Sequence, residues 1–411
     1  MKPDMQIGYC GNVHPALTVD QVLENVQRHA STVRNLCCPD ETLPFGIWTS
    51  KTALDQFQSK DNIERLRDAM QQHHVNAFTI NGFPFGDFHQ PVVKHTVYQP
   101  DWSTDLRLDY TLKLAELHDA LLPSGQPSTI STLPLGWPHK NGKALSYSRK
   151  RLPLQEKADS SFLTACAHQL RICAVSLAEL KIQTGRNCTI CIEPEPGCVL
   201  DTAEDVCQFF NEDLFTGSEA ETVRSHIGVC HDVCHSAVMF EHQADAVEAY
   251  AQSGITIGKV QVSSAVEVDF QNLHDQQKSE SLRTLSQFSE PKYLHQTCIK
   301  RADQTIFFSD LAEAIDAHPD PEGVWRVHFH VPIFASSLGP IGTTQTAITE
   351  CIQALESQAR IDSNANPFVF PQHFEIETYA WNVLPLAHRS RALTTDIAAE
   401  ISWFRNLVQS R

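Results

Sequence analysis

The feature that most constrains the fold of this chain is a regular alternation of short apolar segments with amphipathic helical patterns. The apolar segments are rich in β-branched residues and end in polar ones, and helical spacing of apolar residues follows each of them. This alternation predicts parallel strands joined by right-handed crossovers. Eight strands are predicted: Gln6–His14, Phe45–Ser50, Asn76–Phe85, Ser128–Trp137, Asn187–Cys198, Ile227–Ser236, Ile255–Ala265 and Phe370–Trp381.

Helical patterns fill most of the gaps between these strands. One begins at Thr18, and the others are Ala53–Gln72, Leu106–Leu121, Ser160–Thr184, Thr202–Asn211, Gln243–Ala251 and Gln345–Gln358. Eight strand–helix units favour a closed (β/α)8 TIM barrel of the α/β class over a doubly wound open sheet. No GxGxxG motif follows any strand, so the phosphate-binding loop of a dinucleotide fold is missing. A length of 411 residues suits a single barrel with insertions, covering residues 1–411.

The segment between the seventh and eighth predicted strands is too long for one crossover helix. It contains further strand candidates at Lys292–Lys300, Thr305–Ser309 and Trp325–Phe334. We therefore predict that residues 266–325 form an insertion at the mouth of the barrel, before the last strand. The sequence leaves open whether Val327–Ile333 belongs to the barrel wall or to the insertion.

Composition and charge exclude several classes of function. The formal net charge of −17 disfavours a nucleic-acid partner and an anionic membrane surface, because both are bound through clustered Lys and Arg. No apolar run reaches the roughly 18–20 residues of a membrane span, and the N-terminus lacks the features of a secretory signal. The 13 cysteines show no disulfide or zinc-ribbon spacing. We expect a cytoplasmic protein with reduced thiols and no membrane insertion.

Three predicted strands each deliver a carboxylate at the end where a barrel carries its active site. Glu193 lies at the end of the fifth strand, Asp232 of the sixth and Glu377 of the eighth. Buried carboxylates are costly unless they are paired or bound to a metal, so convergence of three of them indicates a cation. Carboxylate, imidazole and amide ligands suit Mn²⁺, Mg²⁺, Co²⁺ or Zn²⁺. Glu193 and Glu377 are also the candidate acid and base.

The fourth metal ligand has two candidates. Gln261 lies on the seventh strand, and His330 lies two residues after His328 in the extra strand candidate. Gln261 is favoured by position and His330 by ligand chemistry, and the sequence leaves both open. Other polar residues near strand ends are candidates for binding a substrate: His14, Asn81, Glu195 and His235.

The strand-end residues resemble those of the xylose-isomerase-like superfamily of TIM barrels, also called the AP-endonuclease-2 type. The motifs are Glu193 in IEPEPGCVLDT, Asp232 and His235 in a DxxH pattern, and Glu377 in IETY. The resemblance implies a sugar isomerase or epimerase fold in which Glu193, Asp232 and Glu377 bind metal and His235 faces substrate. The sequence departs from the pattern at Gln261, where the superfamily usually places a metal-binding His.

Six longer strings, spread over nearly the whole chain, resemble the EboE group of metabolite-traffic proteins. They are GYCGNVHP, NGFPFGDFH, STLPLGW, KVQVSSA, HFHVPIF and EIETYAW. This resemblance implies a link to the movement of a biosynthetic precursor, with export-pathway proteins as possible partners. It implies a fold and a metal site more than a particular substrate.

Two functions from different classes follow. In the first, a metal stabilises the enediolate form of a small hydroxy-carbonyl metabolite, while Glu193 and Glu377 exchange a proton with it and His235 and His14 bind its oxygens. In the second, the same metal-lined pocket holds a metabolite for export without catalysis. DNA repair, as in endonuclease IV, is disfavoured by the net charge of −17.

Overall fold

Eight parallel strands form a closed barrel in which each strand pairs with the next along the chain and the eighth pairs with the first. The computed structural model describes residues 5–123, 125–140, 143–144, 149–150, 152–302, 304–361, 368–389 and 391–411. The barrel strands are β1 Gln6–Cys10, β2 Leu43–Trp48, β3 Val75–Asn81, β4 Ser128–Thr132, β5 Cys188–Ile192, β6 Ile227–Asp232, β7 Ile257–Val262 and β8 His373–Ile376. The prediction of a (β/α)8 barrel is confirmed.

Several barrel strands end earlier than their apolar patterns predict. β5 stops at Ile192, and the sequence then continues through Pro194 and Pro196, which have no N–H to donate to a strand ladder. β8 likewise stops at Ile376. Glu193 and Glu377 therefore lie immediately after the last ladder residue rather than within the strand.

Helices surround the barrel, and side-chain caps mark where several of them begin. Ser50, Thr104 and Thr202 each accept a hydrogen bond from a backbone N–H of the first helical turn. The α-helices are Val19–Glu24, Ser31–Cys37, Lys51–Gln56, Lys60–His73, Asp105–Leu121, Leu154–Lys157, Ser160–Thr184, Ala203–Phe209, Ala220–His226, Val233–Val238, Gln243–Gln252, Asp275–Leu285, Leu311–Ala317, Gln345–Arg360 and Leu393–Gln409. Two π-helical segments, Asn25–Ala30 and Phe210–Leu214, continue the helices before them.

The helix Ser160–Thr184 is long and apolar enough to cross a membrane, with a mean hydropathy of 1.2 over its most apolar window. The sequence predicts no such segment, because no uninterrupted apolar run reaches the length of a membrane span. In the structure the helix packs against the helices Asp105–Leu121 and Ala220–His226. Its buried residues include Leu170 and Leu177. Of its most apolar stretch 44% is buried, and Ile172, Val175 and Ile182 are exposed, so this helix meets the criterion by length and composition only.

A second sheet, which we call the mouth sheet, lies at the C-terminal end of the barrel strands. Its strands are antiparallel and are, in order, Ser337–Leu338, Ile341–Thr343, Val266–Asp269, Val324–Val327, Thr297–Arg301, Gln304–Phe308 and Arg149–Lys150. Val324–Val327 pairs with two strands of this sheet, so it does not belong to the barrel wall. The chain then passes from the mouth sheet toward the barrel through His328 and His330.

A buried ion pair lies inside the barrel below the mouth. Lys259 Nζ on β7 lies 2.6 Å from Oε2 of Glu375 on β8, and neither side chain is accessible to solvent. Gly46 on β2 makes room for this pair, because a Cβ atom at that position would lie 1.5 Å from Oε1 of Glu375. The barrel interior therefore contains one carboxylate that the chain itself neutralises.

Candidate metal centre

Three carboxylates meet at the mouth of the barrel, as the strand-end positions predict. Glu193 follows β5, Asp232 ends β6 and Glu377 follows β8, and one carboxylate oxygen from each lies within 4.8 Å of the others. All three residues are almost completely buried, with exposed fractions of 2–4%. Parallel strands deliver their C-terminal ends to one face, and this brings residues far apart in the sequence into contact.

No Lys or Arg among the described residues forms an ion pair with any of these three carboxylates. Burial raises the pKa of Glu193 well above its usual range, and the charges of Glu377 and Asp232 raise it further. The pKa of Glu377 is raised in the same way, first by burial and then by Asp232. Three negative groups this close lack a compensating positive charge, which is the condition that a bound cation would relieve.

One oxygen of Glu377 and one of Asp232 are held by hydrogen bonds. Asn12 and Asn81 donate their side-chain N–H groups to Oε1 of Glu377 over 2.6 and 3.1 Å. Oδ1 of Asp232 accepts from the backbone N–H of His235 and the hydroxyl of Ser263, both over 2.8 Å. The other oxygen of Asp232, Oδ2, is buried without a partner within the described chain. Such outer contacts orient ligands while leaving an atom free for a metal.

Glu193 also has an unpartnered oxygen. Its Oε2 atom is buried, and no donor in the described residues reaches it. Because unpartnered buried carboxylate oxygens are costly, free oxygens on both Glu193 and Asp232 at one point indicate a place for a cation.

His330 presents a free nitrogen to Asp232, in a neighbouring group with His235 that could also hold a cation. Its Nδ1 lies 2.7 Å from the backbone carbonyl oxygen of Glu377, so Nδ1 carries the proton and donates it. Nε2 then keeps its lone pair, has no hydrogen-bond partner, and lies 4.0 Å from Oδ2 of Asp232. Burial lowers the pKa of His330, which keeps the ring neutral. A neutral imidazole fixed through its other nitrogen is the usual form of a metal-binding histidine.

Gln261, the other candidate for a fourth ligand, is also buried. Its Cα is in register with Asp232 on β6 and Glu375 on β8. Both atoms of its side-chain amide lack a hydrogen-bond partner among the described residues. An amide oxygen suits Mg²⁺ or Mn²⁺, whereas the imidazole of His330 suits Zn²⁺ and other transition metals. The two candidates therefore differ in which metal they favour.

A histidine pair lies beside the carboxylates. His235 Nδ1 donates to the carbonyl oxygen of Pro194 over 2.8 Å, and His328 Nδ1 donates to Oε1 of Gln296 over 2.7 Å. Their Nε2 atoms face each other at 3.1 Å. Burial lowers the pKa of both rings, that of His235 to about 4, so two lone pairs face each other. With Glu195, these two histidines form a second group that could hold a cation.

Glu195 is held away from the three carboxylates. It accepts hydrogen bonds from the hydroxyl of Tyr98 over 2.7 Å and from Nε2 of Gln296 over 3.0 Å. Burial raises the pKa of Glu195 to about 7. Gly197, two residues on, has a φ of +79°, and a Cβ atom there would lie 2.2 Å from the ring of Phe307. The turn that carries Glu195 is therefore fixed against the mouth sheet.

A cavity of about 520 Å³, counting its open end, leads to the carboxylates. Of the predicted substrate-binding residues, Asn81, Glu195 and His235 line it, as do Glu193, His330 and Glu377. The other lining residues are Asn12, Phe83, Pro84, Phe88, Val93, Lys94, Val97, Tyr98, Tyr293, Leu294, His328 and Tyr379.

His14 does not line this cavity, in contrast to the prediction. β1 ends at Cys10, and a 3-10 turn over Gly11–Val13 follows it. The turn directs Asn12 toward Glu377, while the ring of His14 stacks on that of His29 with centroids 4.2 Å apart. A predicted strand that ran through His14 missed this change of direction.

The sequence patterns do not predict the contributions of Tyr98 in the β3–β4 loop or of Tyr293 and Gln296, which precede the mouth-sheet strand Thr297–Arg301. The one available signal was the spacing of His328 and His330. Residues two apart on an extended segment share a face, and both rings do approach His235, with centroids 4.5 and 5.5 Å from its ring.

No protein-family model matches the chain, and no curated protein matches it. The chain is similar to the solved structure of a D-tagatose 3-epimerase-like protein at 11% identity and a TM-score of 0.45, over 99% of this chain and 98% of the other. It is similar to an IOLI protein with a binding zinc atom at 11% identity and 0.44, over 99% of both chains.

A third similar structure is a xylose isomerase-like TIM barrel protein from Mycobacterium smegmatis in complex with magnesium. The identity is 8% and the TM-score 0.48, over 98% of this chain and 99% of that chain. These likenesses extend over whole chains at low identity, and the activity of this chain has to be argued from its own residues.

Proposed function

We propose that this protein is a metal-dependent enzyme of the sugar isomerase or epimerase kind, which acts on a small hydroxy-carbonyl metabolite. One observation carries the proposal: Glu193, Asp232 and Glu377 meet within 4.8 Å in a buried place where the described chain supplies no Lys or Arg partner. Three converging carboxylates at the mouth of a barrel match the requirements of a divalent metal site.

The ligands in this proposal are Glu193, Asp232, Glu377 and His330, with Gln261 beside them. The fit rests on their free atoms: Oε2 of Glu193, Oδ2 of Asp232 and Nε2 of His330 are all buried without a partner in the described residues. Mn²⁺, Zn²⁺, Mg²⁺ and Co²⁺ all accept ligands of these types. When bound, such a cation supplies Lewis acidity toward a carbonyl oxygen of the substrate.

Glu193 and Glu377 are the proposed acid and base. In the metal-free protein burial raises the pKa of both carboxyl groups well above the usual range, and a bound cation would lower both values again. One of them removes a proton from the substrate carbon next to the carbonyl, and the other returns a proton. Asn12 and Asn81 hold Oε1 of Glu377 and so fix the direction of its other oxygen.

His235 and the mouth sheet complete the proposed site. His235 lines the cavity, with its Nδ1 bonded to Pro194 and its Nε2 3.1 Å from Nε2 of His328, and we assign its ring to contact with a substrate hydroxyl. The mouth sheet covers the strand ends and limits the access of water to a reactive carbanion.

A role in metabolite traffic is a finer proposal. It is supported by the resemblance of strings such as HFHVPIF and EIETYAW to the EboE group. In this proposal the protein works in the cytoplasm on a small precursor and meets proteins of an export pathway. Its formal net charge of −17 argues against a nucleic-acid substrate.

A non-catalytic metabolite-binding protein is the second candidate. The observation that favours it is Gln261 at the position where the superfamily that the sequence resembles usually has a metal-binding histidine. A site adapted to hold a metabolite for export keeps its pocket and its metal but does not exchange protons with the ligand.

The first experiment measures metal in the purified protein and then deuterium exchange from D₂O into hydroxy-carbonyl compounds. We expect about one equivalent of a divalent metal, and exchange that Glu193→Gln and Glu377→Gln each abolish. Glu267→Gln on the mouth sheet is the matched control, since Glu267 is partly exposed and pairs with Arg326. Ligand-induced stabilisation without exchange would select the binding protein, and absence of metal binding would overturn both candidates.

A further inference from the structure

We propose that the substrate is amphiphilic: a hydroxy-carbonyl head lies at the carboxylates, and an aromatic ring attached to it lies against an apolar collar. We define the collar as Phe88, Tyr293, Leu294 and Tyr379, all of which line the cavity. The proposal rests on the proposed function, because the head group is placed by the metal centre. It adds the chemical class of the rest of the substrate.

The collar begins at the candidate metal ligands and continues away from them. The ring of Tyr379 lies 4.7 Å from that of His330, centroid to centroid. Phe88 lies 5.4 Å from Tyr379, and Tyr293 lies 5.0 Å from Phe88 and 5.1 Å from Tyr379. Three mutually contacting rings next to the reaction centre form a surface that favours a flat apolar group.

The polar groups of the cavity are mostly committed already. Asn12 and Asn81 donate to Glu377, and Tyr98 donates to Glu195. A substrate hydroxyl would have to compete with these bonds.

Polar groups at the collar and beside it are also hydrogen-bonded already. Tyr293 donates to the backbone oxygen of Phe88 over 3.2 Å, and Lys94 donates to Asp310 over 2.5 Å. Apart from the candidate metal ligands and Oδ1 of Asn12, the buried cavity atoms offer a sugar with several hydroxyl groups few new partners, and each buried hydroxyl without a partner is costly. The cavity is therefore poorly suited to a simple polyol.

Within the collar, Tyr379 is the exception. Within the described chain nothing hydrogen-bonds its hydroxyl, although the residue lines the cavity beside His330. A single free hydroxyl in the collar can bind one polar atom close to the head of the substrate. We assign this contact to Tyr379, two residues after Glu377.

The test uses the unmodified protein loaded with Mn²⁺ and three hydroxamic acids, which share one chelating head. Acetohydroxamate carries a methyl group, benzohydroxamate a phenyl ring, and glycerohydroxamate two hydroxyl groups. Calorimetry gives each affinity, corrected by the affinity of the same compound for free Mn²⁺. We expect benzohydroxamate to bind about tenfold or more tightly than acetohydroxamate, because the ring buries more apolar surface. Glycerohydroxamate should bind no more tightly than acetohydroxamate.

Two collar variants localise the effect. Phe88→Ala and Leu294→Ala should each reduce the preference for benzohydroxamate to about threefold or less while leaving acetohydroxamate affinity unchanged. Phe270→Ala is the matched control, since Phe270 is equally buried, packs on Trp325 and does not line the cavity. If the Phe88 variant fails to fold, Leu294→Ala and the unmodified protein still decide the question.

The outcomes separate this inference from the proposed function. Equal corrected affinities for acetohydroxamate and benzohydroxamate, or tightest binding of glycerohydroxamate, would overturn the collar and leave the metal centre intact. If the protein bound Mn²⁺ but none of the three compounds, the proposed function itself would fail, because the metal would not be open to a chelating substrate.

Discussion

Two carboxylates on the same strand end have opposite surroundings. Glu375 on β8 is paired with Lys259 at 2.6 Å, and both side chains are fully buried. Glu377, two residues further along, is also buried but meets Glu193 and Asp232, with no Lys or Arg in ion-pair contact among the described residues. The same barrel interior thus holds one carboxylate neutralised by the chain and, next to it, three carboxylates that are not.

The presence or absence of a paired lysine distinguishes the structural ion pair of Glu375 from the candidate binding site at Glu377. Burial alone would lower the pKa of Lys259, but Glu375 and nearby groups raise it overall. The lysine therefore stays charged and neutralises Glu375. At the mouth, the pKa values of Glu193 and Glu377 are raised by burial, and Glu193 and Asp232 each have a carboxylate oxygen without a partner among the described residues. The chain itself supplies the cation of the deep pair, whereas the cation proposed for the mouth would come from solution.

The first prediction breaks the deep pair. Lys259→Met should destabilise the protein by about 3–5 kcal/mol, because it leaves Glu375 as an unpaired buried charge. Urea unfolding of the metal-free protein measures this. The double variant Lys259→Met with Glu375→Leu is the control and should recover most of the loss. A single-variant loss below about 1 kcal/mol, the range of exposed pairs, would show that the pair is not isolated from water.

The second prediction concerns the mouth, where the effect should fall on metal affinity rather than on folding. Asp232→Asn should weaken Mn²⁺ or Zn²⁺ binding by more than about 100-fold, since loss of an outer-shell contact alone costs about 10–100-fold. The metal-free variant should be no less stable than the unmodified protein, because one of three repelling charges is gone. Unchanged metal affinity in calorimetry would remove Asp232 from the ligand set.

The third prediction decides the fourth ligand. His330→Ala should reduce the affinity for Zn²⁺ by about 10–100-fold, while Gln261→Leu should change it little, since imidazole is the stronger ligand for that metal. Titration of both variants with Zn²⁺ and with Mg²⁺ makes the comparison. A larger loss of Zn²⁺ affinity in Gln261→Leu than in His330→Ala would make Gln261 the fourth ligand instead of His330.

The sequence predicts the barrel and the meeting of Glu193, Asp232 and Glu377 because both depend on local patterns. Apolar runs give the strands, and parallel strands deliver their ends to one face. No side-chain contact has to be known for this inference. The same reasoning places Asn81 and His235 at the cavity, each at or just beyond a strand end.

Other parts of the site depend on contacts between distant segments. His328 contacts Gln296 because strands from three separate segments pair in the mouth sheet. No periodicity in the sequence predicts that pairing. His14 lies outside the cavity for a local reason: a 3-10 turn over Gly11–Val13 follows β1 where the prediction continued the strand. The partner of Glu375 was missed because an interior Lys259 has no distinct pattern.

The fourth prediction uses pH to compare metal-free and loaded protein. The pKa values of Glu193 and Glu377 are raised above 4.5 in the folded protein, so above pH 4.5 the folded state holds more protons than the unfolded state. These two groups alone therefore lower the free energy of unfolding as the pH rises above about 4.5, while buried histidines with a lowered pKa, such as His235 and His373, raise it up to about pH 6.5. Melting temperatures from pH 5 to 8 with EDTA and with Mn²⁺ test this, and the gain from Mn²⁺ should grow with pH. A gain that shrinks over this range would contradict the sign.

The smallest predicted effect is the change in stability of the metal-free protein when Gln261 is replaced. Its amide is buried with both polar atoms unpartnered among the described residues, so Gln261→Leu should stabilise the metal-free protein by about 1–3 kcal/mol, the usual cost of such groups. Urea unfolding in EDTA measures the gain. Gln243→Leu is the control, because Gln243 is as buried but bonded to His231 over 2.8 Å, and it should lose stability instead. A lower free energy of unfolding in Gln261→Leu would mean that water or an ion already hydrogen-bonds or binds the amide without added metal. The polar atoms at the mouth would then be satisfied even when the carboxylates have no cation.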